Sequence, residues 1–555
     1  MSLVKRVTIL FFFTLITIFF GCKKTNPVEK NTVVIAIPAD IERINPLYSF
    51  SFDEANINEL LFLSLVKHSW DEKKGDLSTE PMLAVSWEWA KDSSSIIINI
   101  RNDVKWSDGA PLTIDDVIFS FDVYSDPEVQ SYLYGTFKAF YTDKDNHIDI
   151  KKTFEKISDS KLKINFLPAS SPSMYNLDFP IAPKHIYGKI KRKDLINAAE
   201  NFHPVTSGAF MLEKWERNQS IILKESVSSF LHNTDGVARL AFKIIPEYAS
   251  RLAQLKNNEI DLVEDIKPED VKDLKISEKL QIVPVKGREY DYIGWNNIDP
   301  EKYSKEKRLV PNKLFGSSKV RRALSMAINR DEILKEYFAG GEYGSLANSP
   351  VSPIFKNAIN PAITPYKYDL EQAKKLLAED GWSDTNKDGI IEKKGEKFKF
   401  TLSVPTNKPR RLFAATLLKN SLKQIGIDFS IEQLEPGDFI EKLSKKSLNA
   451  WIAGWAVPLP LDLKISWYSD LNKTPMNFCS YQNKNVDLLL DEIEKRISND
   501  QKNNLYKKLE EILYADQPVT FLFWIDNVVV YNKRIQNIDV NPLGVVHHCW
   551  KWSVK

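Results

Sequence analysis

The sequence predicts a mixed α/β protein of two or three folding units, on three observations. Its 555 residues exceed what a single hydrophobic core usually serves. Short runs of branched and aromatic residues recur along the chain, as buried strands require. Amphipathic stretches with capping signals lie between them, the alternation that marks an α/β fold. No internal repeat or low-complexity tract interrupts the pattern.

At the N-terminus, Lys5 and Arg6 precede an apolar run from Val7 to Phe20. It is shorter than the about 20 residues a spanning helix needs, and with its basic flank it reads as an export signal over residues 1–21. Gly21-Cys22 resembles the lipobox of bacterial lipoproteins, departing from it at Phe19 and Phe20, where smaller residues are usual. That resemblance implies a mature chain starting at Cys22 with lipid on its sulfur and a polar tether over 22–31. Signal cleavage beside an incidental Cys is the alternative.

Strands are expected at Val33 to Ile37, Ile96 to Ile100, Lys161 to Leu167, Ser220 to Lys224, Phe398 to Val404, Ile427 to Ile431 and Val519 to Trp524. Thr113 caps a helix with Asp116 at its positive end and Val117, Ile118 and Phe121 on one face. Asp369 starts another, with Gln372 at the capping-box position and Gly381 as its stop. Leu505, Leu509, Ile512 and Leu513 mark a late helix that closes before Pro518.

Charge is balanced, 76 basic against 74 acidic residues, with no basic block, so nucleic acid is not an expected partner. No second apolar run approaches spanning length, so the mature protein is not itself a channel. Of the three Cys, Cys479 and Cys549 remain once Cys22 is set aside; one disulfide and two buried thiols both stay open. Asp384 to Gly389 copies the first half of a calcium loop, but the twelfth position is Gly395 instead of the bidentate Glu. His547-His548, taken as adjacent strand residues, would point to opposite faces. Neither a metal nor any other cofactor is expected. Arg321-Arg322 reads as a solvated basic pair. There is no His-Glu-x-x-His, Gly-x-Ser-x-Gly or phosphate-cradling glycine loop, and no enzyme activity is expected.

A set of motifs in one order points further. Ile44-Asn45-Pro46-Leu47-Tyr48, Glu80 to Glu88, Asp103 to Thr113, Pro204 to Phe210, Lys319 to Arg330, Tyr368-Asp369 with Ala373 to Ala378, Ile425 to Asp428, Gly454-Trp455 and Asn485-Val486-Asp487 resemble the family 5 solute-binding proteins, the dipeptide, oligopeptide and nickel receptors of ABC importers. The resemblance runs from about Val33 to about Trp552. Singly, each motif also reads as scaffold: Asp108-Gly109 is a turn signal, and Val320, Leu324, Ala327 and Ile328 form one helix face.

The resemblance implies a two-lobed periplasmic-binding-protein-like fold with a hinge and an extra subdomain in the first lobe. The first lobe would span 32–290, with the subdomain at about 70–190, the second 291–518, and 519–555 would return to the first. The chain would cross near Tyr290 to Asn297 and again near Val519 to Trp524. Ligand would be enclosed as the lobes close. It would meet Tyr48, Ser49, Phe50, Ser51 and Phe52 from the first lobe, and the loop at Gly454, Trp455 and Ala456 from the second. Peptide receptors of the family carry an Asp just beyond the Gly-Trp pair that holds the peptide's α-ammonium; this chain has Ala456-Val457-Pro458 there. Asp462 is either a displaced ammonium anchor or a helix cap.

The implied protein is a monomeric, exported receptor, lipid-anchored on the periplasmic or cell-surface side, that delivers a peptide-like or other small solute to an ABC permease and its ATPase. A surface lipoprotein of the same fold acting in signalling or chaperoning is the alternative. A secreted hydrolase is a third reading with no motif behind it.

Overall fold

The computed structural model describes residues 31–168 and 170–555. The export signal and Cys22 lie outside the described residues. The α/β expectation holds. An 11-stranded sheet runs Asp428–Leu434, Lys399–Pro405, Ala450–Ala456, Leu280–Trp295, Val519–Asn532, Leu262–Val263, Thr32–Ile37, Arg239–Ile244, Ser220–Glu225 and Phe210–Glu216, with Gly344–Leu346 also paired to Val519–Asn532. Lys399–Pro405 pairs in parallel with Asp428–Leu434 and with Ala450–Ala456. Parallel pairs need crossovers, and the helices Pro409–Lys423 and Pro436–Ser444 provide them. Two extra antiparallel sheets lie early in the chain, the hairpin of Val66–Asp71 with Asp76–Pro81 and a four-stranded sheet of Ala84–Trp89, Ser95–Ile100, Lys161–Asn165 and Phe154–Ser158, and two short two-stranded ones lie later, Glu392–Lys393 with Glu396–Lys397 and Ile535–Gln536 with Ser553–Val554.

Local chemistry sets the element ends. Thr113 and Asp116 form a reciprocal capping box at the start of Ile114–Ser125, and the second Asp116 oxygen accepts from the Lys184 amide at 2.9 Å. Asp369 caps Leu370–Glu379 by accepting from the Gln372 amide at 2.8 Å, and Gly381 follows at φ +91°. The helix Asn499–Asp516 ends at Gln517, before Pro518.

Arg321 is not solvated. It is buried, and its guanidinium donates to the carbonyls of Phe315, Gly316, Asp516 and Gln517. Asp516 ends the helix Asn499–Asp516, so the cation satisfies carbonyls that a helix leaves unpaired.

Hydrophobic cores lie on both sides of the long strand pair. One gathers Val33, Leu60, Phe121, Leu223 and Trp552; others gather Trp295, Leu324, Leu418 and Phe523, and Tyr290, Trp451, Leu509 and Trp524. Leu280–Trp295 and Val519–Asn532 run antiparallel through all of them. Leu280 to Val285 faces Asn532 to Asn527, and Glu289 to Gly294 faces Ile525 to Val519, with the register broken between Val285 and Glu289. Lys286, Gly287 and Arg288 therefore stand opposite Asp526 alone, and Lys286 pairs with its carboxylate at 2.6 Å. A Cβ on Gly287 would lie 1.8 Å from the Ile525 carbonyl oxygen, a rigid backbone atom. Gly287→Ala is expected to destabilise the fold by about 1–3 kcal/mol through overpacking, read as an earlier urea midpoint by tryptophan fluorescence.

Candidate functional site

Asn45 opens the first-core side of the site. It is buried, accepts from the Leu47 amide at 2.9 Å and so caps the turn Pro46–Tyr48. Ser51 then caps the helix Phe52–Leu61 in a capping box with Glu54. On that helix Phe52, Ala55, Asn56 and Glu59 follow helical spacing, and all four line one cavity of 320 Å³. The strand Val66–Asp71 adds Lys67 and His68, the segment 174–180 adds Tyr175 and Asp178, and the C-terminal segment adds Leu543, His547 and Trp550. Leu459, from the loop that follows Gly454-Trp455, closes it from the opposite side.

The floor of this cavity is ionic. Lys67, 2% exposed, contacts the Glu59 carboxylate. Asp178 accepts from the His68 amide at 3.0 Å and from His68 Nδ1 at 2.7 Å. Burial pushes the Asp178 carboxyl up, but the His68 bonds and the Lys67 charge outweigh it and hold the group below the ordinary carboxylate range. His547 Nε2 donates to the His68 carbonyl at 2.7 Å, which leaves Nδ1 as the unprotonated nitrogen, 3.3 Å from Glu59. His547 and His548 do not alternate across a strand; they lie on the 3₁₀ turn Val546–Lys551 with rings 4.4 Å apart, and burial pushes both down to about 3.

The covering loop is held through its backbone. The Tyr175 hydroxyl donates to the Leu459 carbonyl at 3.0 Å, and Arg288 donates to the Val457 carbonyl at 2.6 Å. Elsewhere between the early segments and those beyond residue 291, Lys356 donates to the Glu72 carbonyl at 2.6 Å and Trp70 meets Phe355 edge-on. Arg496 donates to the carbonyls of Ser170 and Ser93, and Ser171 donates to that of Lys495.

Of the residues singled out in the sequence, Ser49 and Phe52 line the cavity. Tyr48 is buried and is not among the lining residues, Ser51 is the helix cap, and Phe50 is 60% exposed. Gly454 lies beside Asp291, a fully buried carboxylate gripped by Arg410 at 2.9 Å and Arg411 at 2.9 Å. A Cβ on Gly454 would lie 2.4 Å from Arg411 Nη2, so the glycine makes room for that guanidinium. Trp455 stands edge-on to Phe478 beside a void of 20 Å³ shared with Tyr290 and Tyr292, and Ala456 is exposed. Asp462 is exposed, and its carboxylate accepts from the Lys464 amide at 2.9 Å as a local cap. Sequence reasoning missed Asn56, Glu59, Lys67, His68, Tyr175 and Asp178. The helical spacing from Phe52 to Glu59 was a usable signal for the first two.

Cys479 and Cys549 are both buried free thiols. Among the described residues no group of three His, Cys, Asp or Glu side chains is arranged to hold a metal ion. In the Asp384 to Gly389 turn, Asp384 accepts from the amides of Asp388 and Gly389, and the Lys397 ammonium contacts Asp388.

A model of the bacterial extracellular solute-binding proteins, family 5, matches residues 78–476, more than half of the chain. The chain belongs to this family. Its members are non-catalytic binders, and this solute-binding protein is not an enzyme. It is 28% identical over 533 residues to the oligopeptide-binding protein AppA of Bacillus subtilis, covering 95% of this chain and 92% of that one. It is 25% identical to heme-binding protein A of Haemophilus influenzae, over 85% of this chain and 84% of the other. The structure of AppA from Bacillus subtilis with a nonapeptide matches with a TM-score of 0.70 over 94% of this chain and 99% of that one. NikZ from Campylobacter jejuni with Ni(L-His) matches at 27% identity, with a TM-score of 0.71 over 95% and 100% of the two chains. The fold is that of the periplasmic binding proteins.

Two outcomes test the buried charges of this solute-binding protein, one in the floor of the cavity and one on the C-terminal turn behind it. Lys67→Met leaves Glu59 without its cation; since Glu59 is 30% exposed and can rehydrate in part, the expected loss is about 2 kcal/mol, and adding Glu59→Gln should recover most of it. A urea titration of the two variants checks this. The second concerns acid. Because the folded state holds the His548 pKa near 3 against 6.5 when unfolded, the unfolded chain binds more protons between those values. The histidine's share of stability is therefore full above about pH 6.5 and is lost as pH falls. His548→Phe should give a shallower fall in melting temperature from neutral to mildly acidic pH, measured by scanning fluorimetry.

Proposed function

We propose that this protein is the receptor of an ABC importer, capturing a peptide-like solute in the cavity under the 457–461 loop and presenting it to a membrane permease. The observation that carries the reading is the cover over the cavity: Leu459, from the far side of the long strand pair, closes a cavity otherwise built on the near side, and Tyr175 grips its carbonyl. A ligand held there touches both sides, so binding favours the closed arrangement. That its relatives include an oligopeptide-binding protein and a heme-binding protein supports a small imported solute as the cargo.

On this reading the first lobe is 32–290 and the second 291–518, with 519–555 returning to the first. The mismatched stretch Lys286 to Arg288 opposite Asp526 is the flexing point, since a bulge concentrates bending where ladder bonds are interrupted. Ligand contacts come from Ser49 and Phe52 on one lobe and from the loop after Gly454-Trp455 on the other. Cys22 carries the lipid that keeps the receptor beside its permease, on the outer side of the membrane.

The test is a thermal-shift and scattering screen of residues 23–555 against peptides, oligosaccharides and metal complexes. A cognate solute at a hundredfold excess over Kd stabilises the folded state by about 2.7 kcal/mol and should contract the radius of gyration. No shift with any class would refute the receptor reading. Tyr175→Phe removes one bond between the closing sides at constant shape. It is expected to weaken the apparent affinity about fivefold, the equivalent of about 1 kcal/mol, as measured by calorimetry.

A further inference from the structure

We propose that a second, smaller cavity beside the first core binds a phosphate-type oxyanion, held by the Lys105 ammonium and the hydroxyls of Ser107, Thr206 and Ser229. The site shares no lining residue with the solute cavity, and the proposal does not depend on the receptor reading.

Three segments build it. The turn from Asp103 to Ser107 is tied to Thr206 by reciprocal bonds: the Ser107 amide donates to the Thr206 carbonyl at 2.7 Å, and the Thr206 amide donates to Ser107 Oγ at 3.0 Å. The segment that follows the strand Ser220–Glu225 forms the third wall, where the Ser226 amide donates to the Ala209 carbonyl at 2.9 Å. The cavity measures 140 Å³. At about 30 Å³ for each water it has room for about four or five of them, enough for one tetrahedral oxyanion and too little for a peptide.

The first support is a set of idle donors. Thr206 is 3% exposed and lines the cavity, yet its hydroxyl has no partner among the described residues. A polar group so deeply buried beside a void is satisfied when a ligand or water supplies the partner. Ser107 Oγ accepts from the Thr206 amide and Ser229 Oγ from the Leu231 amide at 3.3 Å, so each keeps its O–H proton to donate. Donors that converge on one space call for an acceptor, and an oxyanion presents lone pairs on every side.

The second support is the sign of the charge. Two charged residues line the cavity, Lys105 and Asp103. Arg101 grips both carboxylate oxygens of Asp103, at 2.9 and 2.6 Å, and its guanidinium stacks 4.1 Å from the centre of the Phe230 ring. That acid is thereby neutralised. The Lys105 ammonium has no hydrogen bond, ion pair or ring contact among the described residues. The cavity therefore keeps a free positive charge beside its hydroxyls, the combination that gives charge-assisted hydrogen bonds to an anion.

The third support is location. Ser226 adjoins Glu225, whose amide donates to the Ala238 carbonyl at 2.9 Å, and the Ala238 amide donates to the Asn31 carbonyl at 3.0 Å. The cavity wall thus stands two strand spacings, about 10 Å, from where the chain enters the sheet. From Cys22 to Asn31 the chain reaches about 30 Å at most. With lipid on Cys22, the site is held near phospholipid headgroups, whose phosphates are the favoured source of the anion; a soluble phosphate is the other. Only the choice of source rests on the lipid at Cys22.

Scanning fluorimetry of residues 23–555 with inorganic phosphate tests the site, and flotation with vesicles of phosphatidylcholine, alone or mixed equally with phosphatidylglycerol, tests the source. Phosphate should raise the melting temperature along a saturating curve. Lys105→Met keeps the apolar stem and removes the ammonium, and should weaken the apparent phosphate affinity about tenfold or more. Thr206→Val removes the hydroxyl at constant shape and should weaken it about fivefold. Lys105 is exposed, so Lys105→Met should melt within a few degrees of the parent and keeps the test decisive should Thr206→Val fail to fold. Flotation with phosphatidylglycerol vesicles that is lost in Lys105→Met assigns the site to headgroups. Saturable phosphate binding without flotation assigns it to a soluble oxyanion, and the proposal stands with that source. A shift that climbs linearly with phosphate and persists in Lys105→Met is the general effect of an excluded ion and would overturn the proposal, as would no shift at all. Either failure leaves the receptor reading intact, because solute binding is measured at the other cavity.

Discussion

The antiparallel pairing of Leu280–Trp295 with Val519–Asn532 is the constraint on which the rest depends. Each strand is long enough to serve the cores on both sides, so packing on either side is tied to one shared ladder. A continuous ladder would lock the two sides together as a single rigid plate. The break at Lys286 to Arg288 keeps the connection while removing the local hydrogen bonds that resist bending. That same stretch places Arg288 against the loop over the cavity, so the point of weakest backbone pairing is also a point of contact with the cover.

The cavity is sited where this arrangement leaves room, and its charges follow from burial. Isolated ions would be costly in such a place, and each is matched: Lys67 by Glu59, and Asp178 by His68. Asp291 on the other side is handled alike, by two arginines that approach over a glycine. Around Asn56, which lines the cavity without a side-chain hydrogen-bond partner among the described residues, the matching is incomplete.

Much of the fold was legible because it rests on local signals. Thr113 with Asp116, and Asp369 with Gln372, are helix starts written in four residues. The strand Leu280–Trp295 was illegible because Pro284, Lys286, Gly287 and Arg288 interrupt its apolar pattern just where it bulges. Arg321 was misread because two of its four partners, the carbonyls at 516 and 517, lie about two hundred residues away, and the other two, those of Phe315 and Gly316, are main-chain atoms that no residue type announces. The site divides the same way. Ser49 and Phe52 follow a recognisable motif, whereas Lys67, Asp178 and His547 meet only in three dimensions. Asp462 was the conspicuous acid in the sequence, but its carboxylate turns back on its own chain.

The contacts that join the closing sides have a common form: the receiving atom is nearly always a main-chain carbonyl. Tyr175 takes that of Leu459, Arg288 that of Val457, Arg496 those of Ser170 and Ser93, and Lys356 that of Glu72. Every residue type offers the same carbonyl. Substitutions at 457, 459 or 170 can therefore accumulate without unfastening the molecule, provided the backbone path is kept. On the receptor reading, cargo preference and the mechanics of shutting are thereby uncoupled, and a scaffold of this kind is free to change what it carries while still closing around it.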